Sequence, residues 1–116
     1  MRFGDVVLVD LPQPAGAPGH EQFGRRPAII FQADEATPNL STVLVVPCTS
    51  QLKAAQFAGS IVIEPSSENG LTLKTVALTH QLRAIDKRRI ATPRLGTLAD
   101  DHVQAIRSNL QAILNI

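Results

Sequence analysis

The sequence has no tryptophan, no tyrosine and only four phenylalanines among its 116 residues. Its formal net charge is +1, because 11 lysine and arginine residues oppose 10 aspartate and glutamate residues. Proteins that bind nucleic acids usually combine net basicity with aromatic side chains on which bases stack. The composition therefore excludes a large aromatic stacking platform, and taken alone it argues against a nucleic-acid-binding protein.

Cysteine and long apolar runs are also scarce. Cys48 is the only cysteine, which excludes an internal disulfide and is typical of a reducing cytosol. No run approaches the roughly 18 apolar residues that a membrane span needs, and residues 1–5 do not resemble a signal peptide. We therefore expect a cytoplasmic protein with no membrane partner. Its length predicts a single domain over residues 1–116.

Short runs rich in β-branched residues predict five strands. They are expected at residues 6–9, 27–32, 42–46, 59–64 and 75–79. Pro27 would open the second strand and Pro47 would end the third, positions at which a strand tolerates proline. Between the first two strands, a loop rich in proline and glycine runs to about Arg25, and unstructured loops of this length are often functional. The pattern predicts a small antiparallel barrel or a strongly bent sheet.

The C-terminal part of the chain changes to a helical period. Apolar residues recur there as one stripe of a helix: Val103, Ile106, Leu110, Ile113 and Leu114. Thr97 lies three residues before Asp100, which is the spacing of a capping box with aspartate in place of glutamate. Asp100 and Asp101 would also interact favourably with the positive end of the helix dipole.

Charge is segregated along the chain. Five cations fall within residues 83–94, opposed there by Asp86 alone: Arg83, Lys87, Arg88, Arg89 and Arg94. This basic run is either a solvated surface connection or a patch that faces phosphates or an acidic peptide. Metal-binding motifs are missing, because His20, His80 and His102 lie too far apart for a zinc motif. We therefore expect no metal and no cofactor.

Six short blocks of sequence stand out in order along the chain: GDVV at 4–7, GHEQ at 19–22, GRRP at 24–27, VVPCTS at 45–50, QLRAIDK at 81–87 and RLGTL at 94–98. Together they resemble the MazF/PemK family of toxin endoribonucleases from bacterial type II toxin–antitoxin systems. The resemblance implies an SH3-like small antiparallel barrel with a C-terminal α-helix, and a homodimer. It also implies metal-independent, sequence-selective cleavage of single-stranded mRNA.

The family's chemistry implies the site residues. Its catalytic arginine directly precedes a proline, which assigns Arg26, and its catalytic threonine lies in the Pro-x-Thr-Ser block, which assigns Thr49. A guanidinium supplies paired donors for the charge that builds on phosphate oxygens, but it is a poor proton acceptor because it stays protonated. The general base is therefore open between Glu21 and His20. Seven further residues are expected to contact RNA: Gln22, Phe23, Arg25, Ser50, His80, Gln81 and Arg83.

The resemblance also implies a partner, a cognate antitoxin whose acidic C-terminal tail occupies the RNA groove; operator DNA would be reached only through that antitoxin. Two rival functions share the fold. A CcdB-like toxin binds gyrase, although such toxins lack the Arg-Pro and Thr-Ser pair that Arg26 and Thr49 belong to. A catalytically degenerate member would act only through antitoxin binding and autorepression.

Overall fold

A computed structural model describes residues 1–12 and 24–116 of the chain. Over these residues the chain forms an antiparallel sheet of seven strands and a C-terminal helix. The elements are β1 Asp5–Leu11, β2 Gly24–Ile30, β3 Thr42–Thr49, β4 Ser60–Ile63, β5 Thr75–Leu78, β6 Arg83–Asp86, β7 Ile90–Thr97 and α1 Asp100–Leu114. The strand order is β4-β5-β3-β2-β1-β7, with β6 paired to β3 outside this path.

β3 is the strand that pairs with three others. One edge of it pairs with β2, while the other pairs first with β6, over Thr42–Val45, and then with β5, over Cys48–Thr49. The strand was expected to end at Pro47, and that expectation is wrong. Pro47 lies between the residues of β3 that pair with β6 and those that pair with β5. It has no partner on that edge among the described strands, so its missing N–H costs no hydrogen bond there.

Pro27 is also placed differently from the prediction. β2 begins at Gly24, so Pro27 lies in its middle, opposite Leu8 of β1. The pairing of β2 with β3 starts only at Ala28. Pro27 therefore occupies a stretch that has a ladder partner on one side, which is the setting in which a strand accepts proline.

Two strands were missed altogether. The basic run is neither a loop nor a surface connection, because it forms β6, a single 3₁₀ turn over Lys87–Arg89, and β7. Both strands are largely half-exposed, and β7 contains Pro93 and Arg94. Charged side chains and a proline on a sheet edge hide the apolar alternation that reveals a strand in sequence.

The helix α1 packs its apolar stripe on the sheet. Val103, Ile106 and Leu110 are buried in one core cluster with residues from several strands, including Val6, Val46 and Ile63. The stripe ends earlier than predicted, since Ile113 and Leu114 are about half exposed. In the described part of the chain, no helix is long and apolar enough to cross a membrane.

The predicted capping box is wrong. Ala99 occupies the N-cap, and no side chain caps the helix. Thr97 is unavailable because it ends β7, where it pairs with Asp5 and its N–H donates to the Glu68 carbonyl. Asp100 and Asp101 do lie in the first turn, as predicted, where their charge complements the helix dipole.

A buried carboxylate joins β1 to the neighbouring strand β7. Asp5 is 2% exposed, and its carboxylate accepts from the Arg2 backbone N–H at 2.8 Å and from Arg94 Nη1 at 2.8 Å. The N-terminal amine lies 3.9 Å away. Gly4 reinforces the junction, because its carbonyl accepts from the Leu98 N–H. Sequence blocks 4–7 and 94–98 are thus two halves of one structural contact.

We expect Asp5→Ala to lower the free energy of unfolding by about 2–3 kcal/mol, since it removes charge-assisted hydrogen bonds from a buried site. This loss of stability is small for a buried ion pair, because Arg94 is half exposed. Urea denaturation of Asp5→Ala, Arg94→Ala and the double variant measures this directly. Because the two groups act together, the double variant should lose less than the sum of the single losses. Strict additivity would contradict the direct pairing.

Cys48 is fully enclosed by the sheet. It is 1% exposed, and burial raises the pKa of its thiol to about 12. The native thiol should therefore stay protonated and fail to react with Ellman's reagent at pH 8, whereas the unfolded chain should react completely. Because the unfolded thiol ionises first, its contribution to stability should fall as the pH rises above about 9. Rapid labelling of the native protein would contradict this placement.

Candidate functional site

An open groove of about 360 Å³ lies where β2 leaves β3. Arg25 and Arg26 come to it from β2, and Ser50 comes from the residue after β3. The described lining residues are Leu8, Arg25, Arg26, Pro27, Ser50, Gly70, Leu71, Thr72, Leu73, Thr75 and Leu95. None of them is acidic, so the groove presents two guanidinium groups without a carboxylate among these residues.

Strand register explains why two distant sequence blocks meet here. The β2–β3 ladder pairs Ile30 with Val45 and ends with Ala28 opposite Pro47. Beyond that pair the two strands separate, and Arg25, Arg26 and Ser50 line the same groove. The GRRP and VVPCTS blocks therefore converge on a single point of the molecule, as a shared site requires.

The two arginines differ in their surroundings. Arg25 is exposed and lies opposite Asp10 of β1, whereas Arg26 is half-buried and lies opposite Val9. Pro27 follows directly and is half-buried in the groove wall. Its fixed φ and the paired strand limit the backbone freedom of Arg26. Arg26 is thus the better positioned of the two, and Arg25 the more accessible.

Thr49 and Ser50, both predicted as site residues, are placed differently. Thr49 is 2% exposed, and its hydroxyl accepts a hydrogen bond from the Gln51 N–H at 3.1 Å. Ser50 is exposed and is the member of the pair that lines the groove. The Thr49 hydroxyl keeps its proton to donate, because accepting from Gln51 uses only a lone pair.

Three predicted RNA contacts lie outside the groove. His80 is exposed in the turn after β5, with its ring centroid 6.0 Å from that of Phe57. Gln81 and Arg83 are half-buried, and Arg83 pairs with Val45 of β3. Four further predicted residues, His20, Glu21, Gln22 and Phe23, lie outside the described residues.

The basic run contributes less free charge than the sequence suggests. Arg88 forms hydrogen bonds to the Asp86 carboxylate at 3.0 and 3.1 Å, which lowers the pKa of that carboxyl to about 2. Lys87 donates to the Thr37 carbonyl, and Arg94 binds Asp5. Lys87, Arg88 and Arg94 are therefore engaged with other groups of the chain.

One wall of the groove was not predicted from the sequence. It is formed by the segment 70–75, which connects β4 to β5 and presents Leu71, Thr72 and Leu73 to the arginines. Gly70 has φ +69°, and a Cβ built there would lie 2.0 Å from the Leu95 carbonyl oxygen. The adjacent Asn69-Gly70 pair is a turn signal that marks this bend, but nothing in the sequence says what the bend faces.

Metal ligands do not cluster in residues 1–12 and 24–116, where no three His, Cys, Asp or Glu side chains are close enough to hold an ion.

Comparison with known proteins places the chain in a family. Residues 2–114 match the family described as PemK-like, MazF-like toxin of type II toxin–antitoxin system. The chain belongs to this toxin family. The MazF endoribonuclease of Staphylococcus saprophyticus is 32% identical to it over 116 residues, which cover all of this chain and 92% of that protein. The resemblance read from the six blocks is confirmed.

Solved MazF structures share the fold of the toxin. MazF from Deinococcus radiodurans superposes with a TM-score of 0.79 at 23% identity, over 100% of this chain and 97% of that one. The same organism's MazE–MazF complex gives 0.76 at 19% identity, over 100% and 96%. Mycobacterium tuberculosis MazF-mt6 gives 0.75 at 17% identity, over 97% of each. The predicted barrel-like β fold with a C-terminal helix is confirmed.

Proposed function

We propose that this member of the MazF toxin family cleaves single-stranded mRNA in the cytoplasm without a metal, as one toxin domain over residues 1–116. The observation that carries the proposal is the groove in which Arg25, Arg26 and Ser50 converge. Two adjacent guanidinium groups suit a phosphodiester, because their planar donors match its oxygens. A full-length relative at 32% identity, the Staphylococcus saprophyticus protein, is named an endoribonuclease.

The proposed reaction is an attack by a ribose 2′-hydroxyl on its own 3′-phosphate. The new O–P bond closes a 2′,3′-cyclic phosphate, while the bond to the next nucleotide's 5′-oxygen breaks. The 2′ proton goes to a general base, and the leaving 5′-oxygen takes up a proton to become a free hydroxyl. No water or metal is consumed in this step.

Arg26 stabilises the charge that builds on the phosphate oxygens, in the manner of an oxyanion hole. The Thr49 hydroxyl accepts from the Gln51 N–H and keeps its own proton, and we propose that it donates to the same oxygens once RNA is bound. The general base stays open between Glu21 and His20. Gln22, Phe23, Arg25, Ser50, His80, Gln81 and Arg83 are proposed to contact the RNA.

The proposed protein partners are a second copy of the chain, in a homodimer, and a cognate antitoxin. Solved complexes of Deinococcus radiodurans are titled MazE–MazF, and the chain shares the fold of their MazF. The acidic antitoxin tail would compete with RNA for the cationic groove. Operator DNA would be reached only through the antitoxin.

The deciding experiment incubates the purified toxin with a long mixed-sequence RNA in excess EDTA. We expect cleavage at defined sequences, and 5′ ends that polynucleotide kinase labels without prior phosphatase treatment. Sequencing those ends gives the preferred site. Intact RNA from folded, antitoxin-free protein would overturn the proposal. A stable complex with gyrase would then favour the CcdB-like alternative, and tight antitoxin binding alone would favour a degenerate member.

A further inference from the structure

The groove has a second wall that the phosphate chemistry does not use. Leu8, Leu71, Leu73 and Leu95 line the groove together with the arginines. Leu71 is buried and Leu95 is half-buried, but Leu73 is 61% exposed. One exposed leucine is ordinary on a protein surface. This one shares a groove with three other leucines and with Arg25 and Arg26.

The backbone holds Leu73 in place from both sides. Thr75 donates its hydroxyl proton to the Leu73 carbonyl at 2.8 Å, and Lys74 forms an ion pair with Glu64 at 3.3 Å. Upstream, the Asn69 side chain accepts from the Leu71 N–H at 2.9 Å and donates to the Glu64 carbonyl at 2.9 Å. A contact residue that is already ordered does not lose conformational entropy on binding.

We propose that this apolar wall, centred on Leu73, packs against one nucleobase of the RNA while Arg25 and Arg26 face the neighbouring phosphate. The inference rests on the proposed function and deepens it. A nucleotide is divided in the same way as the groove, with an anionic phosphate at one end and a flat base face at the other. An acidic peptide would match the arginines but has no general need for the leucines.

An aliphatic contact has a specific consequence for recognition. A leucine offers no hydrogen bond to a base edge, so it contributes affinity for any base rather than a choice among bases. Because the chain has no tryptophan or tyrosine, the leucine contact takes the place of an aromatic contact with the base. Leu73 is therefore a binding residue whose loss weakens the RNA complex while the cleavage sequence stays the same.

The test compares Leu73→Ala with Leu40→Ala, a leucine of similar exposure that does not line the groove. The probes are fluorescein-labelled single strands of about 12 nucleotides, a length within the usual site size. Four are 2′-fluoro RNA homopolymers, which lack the attacking hydroxyl and stay intact. The fifth has the same backbone charge but abasic sugars. Fluorescence anisotropy gives each Kd.

We expect Leu73→Ala to weaken binding of all four homopolymers by about 3- to 10-fold and to leave the abasic strand unchanged. Arg25→Ala should instead weaken both kinds of strand and reduce the salt dependence of log Kd by about one charge. Leu40→Ala should match the wild type. In cleavage assays, Leu73→Ala should raise KM and keep both kcat and the cleaved sequence.

The inference is overturned if Leu73→Ala binds every homopolymer like the wild type, or if it weakens the abasic strand equally. Those results leave the nuclease proposal standing when cleavage in EDTA is intact. Conversely, if RNA binding depends on Leu73 but unmodified RNA is never cleaved, the nuclease proposal is wrong and the base contact is supported. A protein that binds none of these strands and also leaves unmodified RNA intact contradicts both.

Discussion

Arg26→Ala should slow the cleavage of RNA by about 10²- to 10³-fold, the usual loss when one donor to a developing anion is removed. Arg26 is half-buried and lines the groove beside Arg25 and Ser50, which is where the proposed function puts the phosphate. The change should act on kcat more than on KM, because charge on the phosphate oxygens grows toward the transition state. Single-turnover cleavage of a mapped RNA site measures it.

Two variants sharpen this result. Arg26→Lys should recover only part of the rate, because a point charge replaces a planar fork of donors. Arg2→Ala is the matched control, since Arg2 is an exposed arginine that pairs with Asp34 away from the groove. It should cleave at the wild-type rate. An Arg26→Ala protein with a wild-type circular dichroism spectrum and undiminished kcat would remove Arg26 from the chemistry.

Gly70→Ala should lower the free energy of unfolding by about 3–5 kcal/mol, from a strained φ combined with overpacking. The residue has φ +69°, and an added Cβ would meet Leu95 backbone atoms at 2.0 and 2.6 Å. Because backbone atoms of a paired strand cannot swing aside, either the 70–75 segment or β7 must move. Thermal or urea unfolding measures the loss. Weaker RNA binding should accompany it, since both segments line the groove.

Gly4→Ala tests the cost of an unfavourable φ without a steric clash. Gly4 has φ +85°, but an added Cβ would meet only the Val103 side chain, at 4.0 Å. It should cost about 1–2 kcal/mol, the usual penalty for a left-handed residue with a side chain. Equal losses for the two variants would mean that the close approach of Gly70 to Leu95 is not maintained in solution.

The sequence predicted the parts of the fold whose pattern is local. The apolar runs of β1, β2 and β3 and the helical stripe of α1 are visible because burial leaves a period in the chain. β6 and β7 were missed because they carry charge and proline on a sheet edge. Thr97 was taken for a helix cap because the sequence does not show that its backbone is already paired with Asp5.

The candidate site was predictable only as far as the family blocks extend. They identified Arg25, Arg26 and Ser50, which the β2–β3 register brings into one groove. They also suggested His80, which lies elsewhere in the described structure. The leucines of the groove were not predicted, because the sequence does not show which residues lie near an exposed leucine in the folded protein.

The junction between Asp5 and Arg94 also makes the groove depend on two strands that are far apart in sequence. Pairing β1 with β7 closes a contact across almost the entire chain, from residue 5 to residue 97. Such non-local contacts form late and slowly in folding. Leu8 and Leu95, which come from these two strands, both line the groove. A chain that stops before β7 therefore lacks both Leu95 and the Asp5–Arg94 contact, and its groove is incomplete.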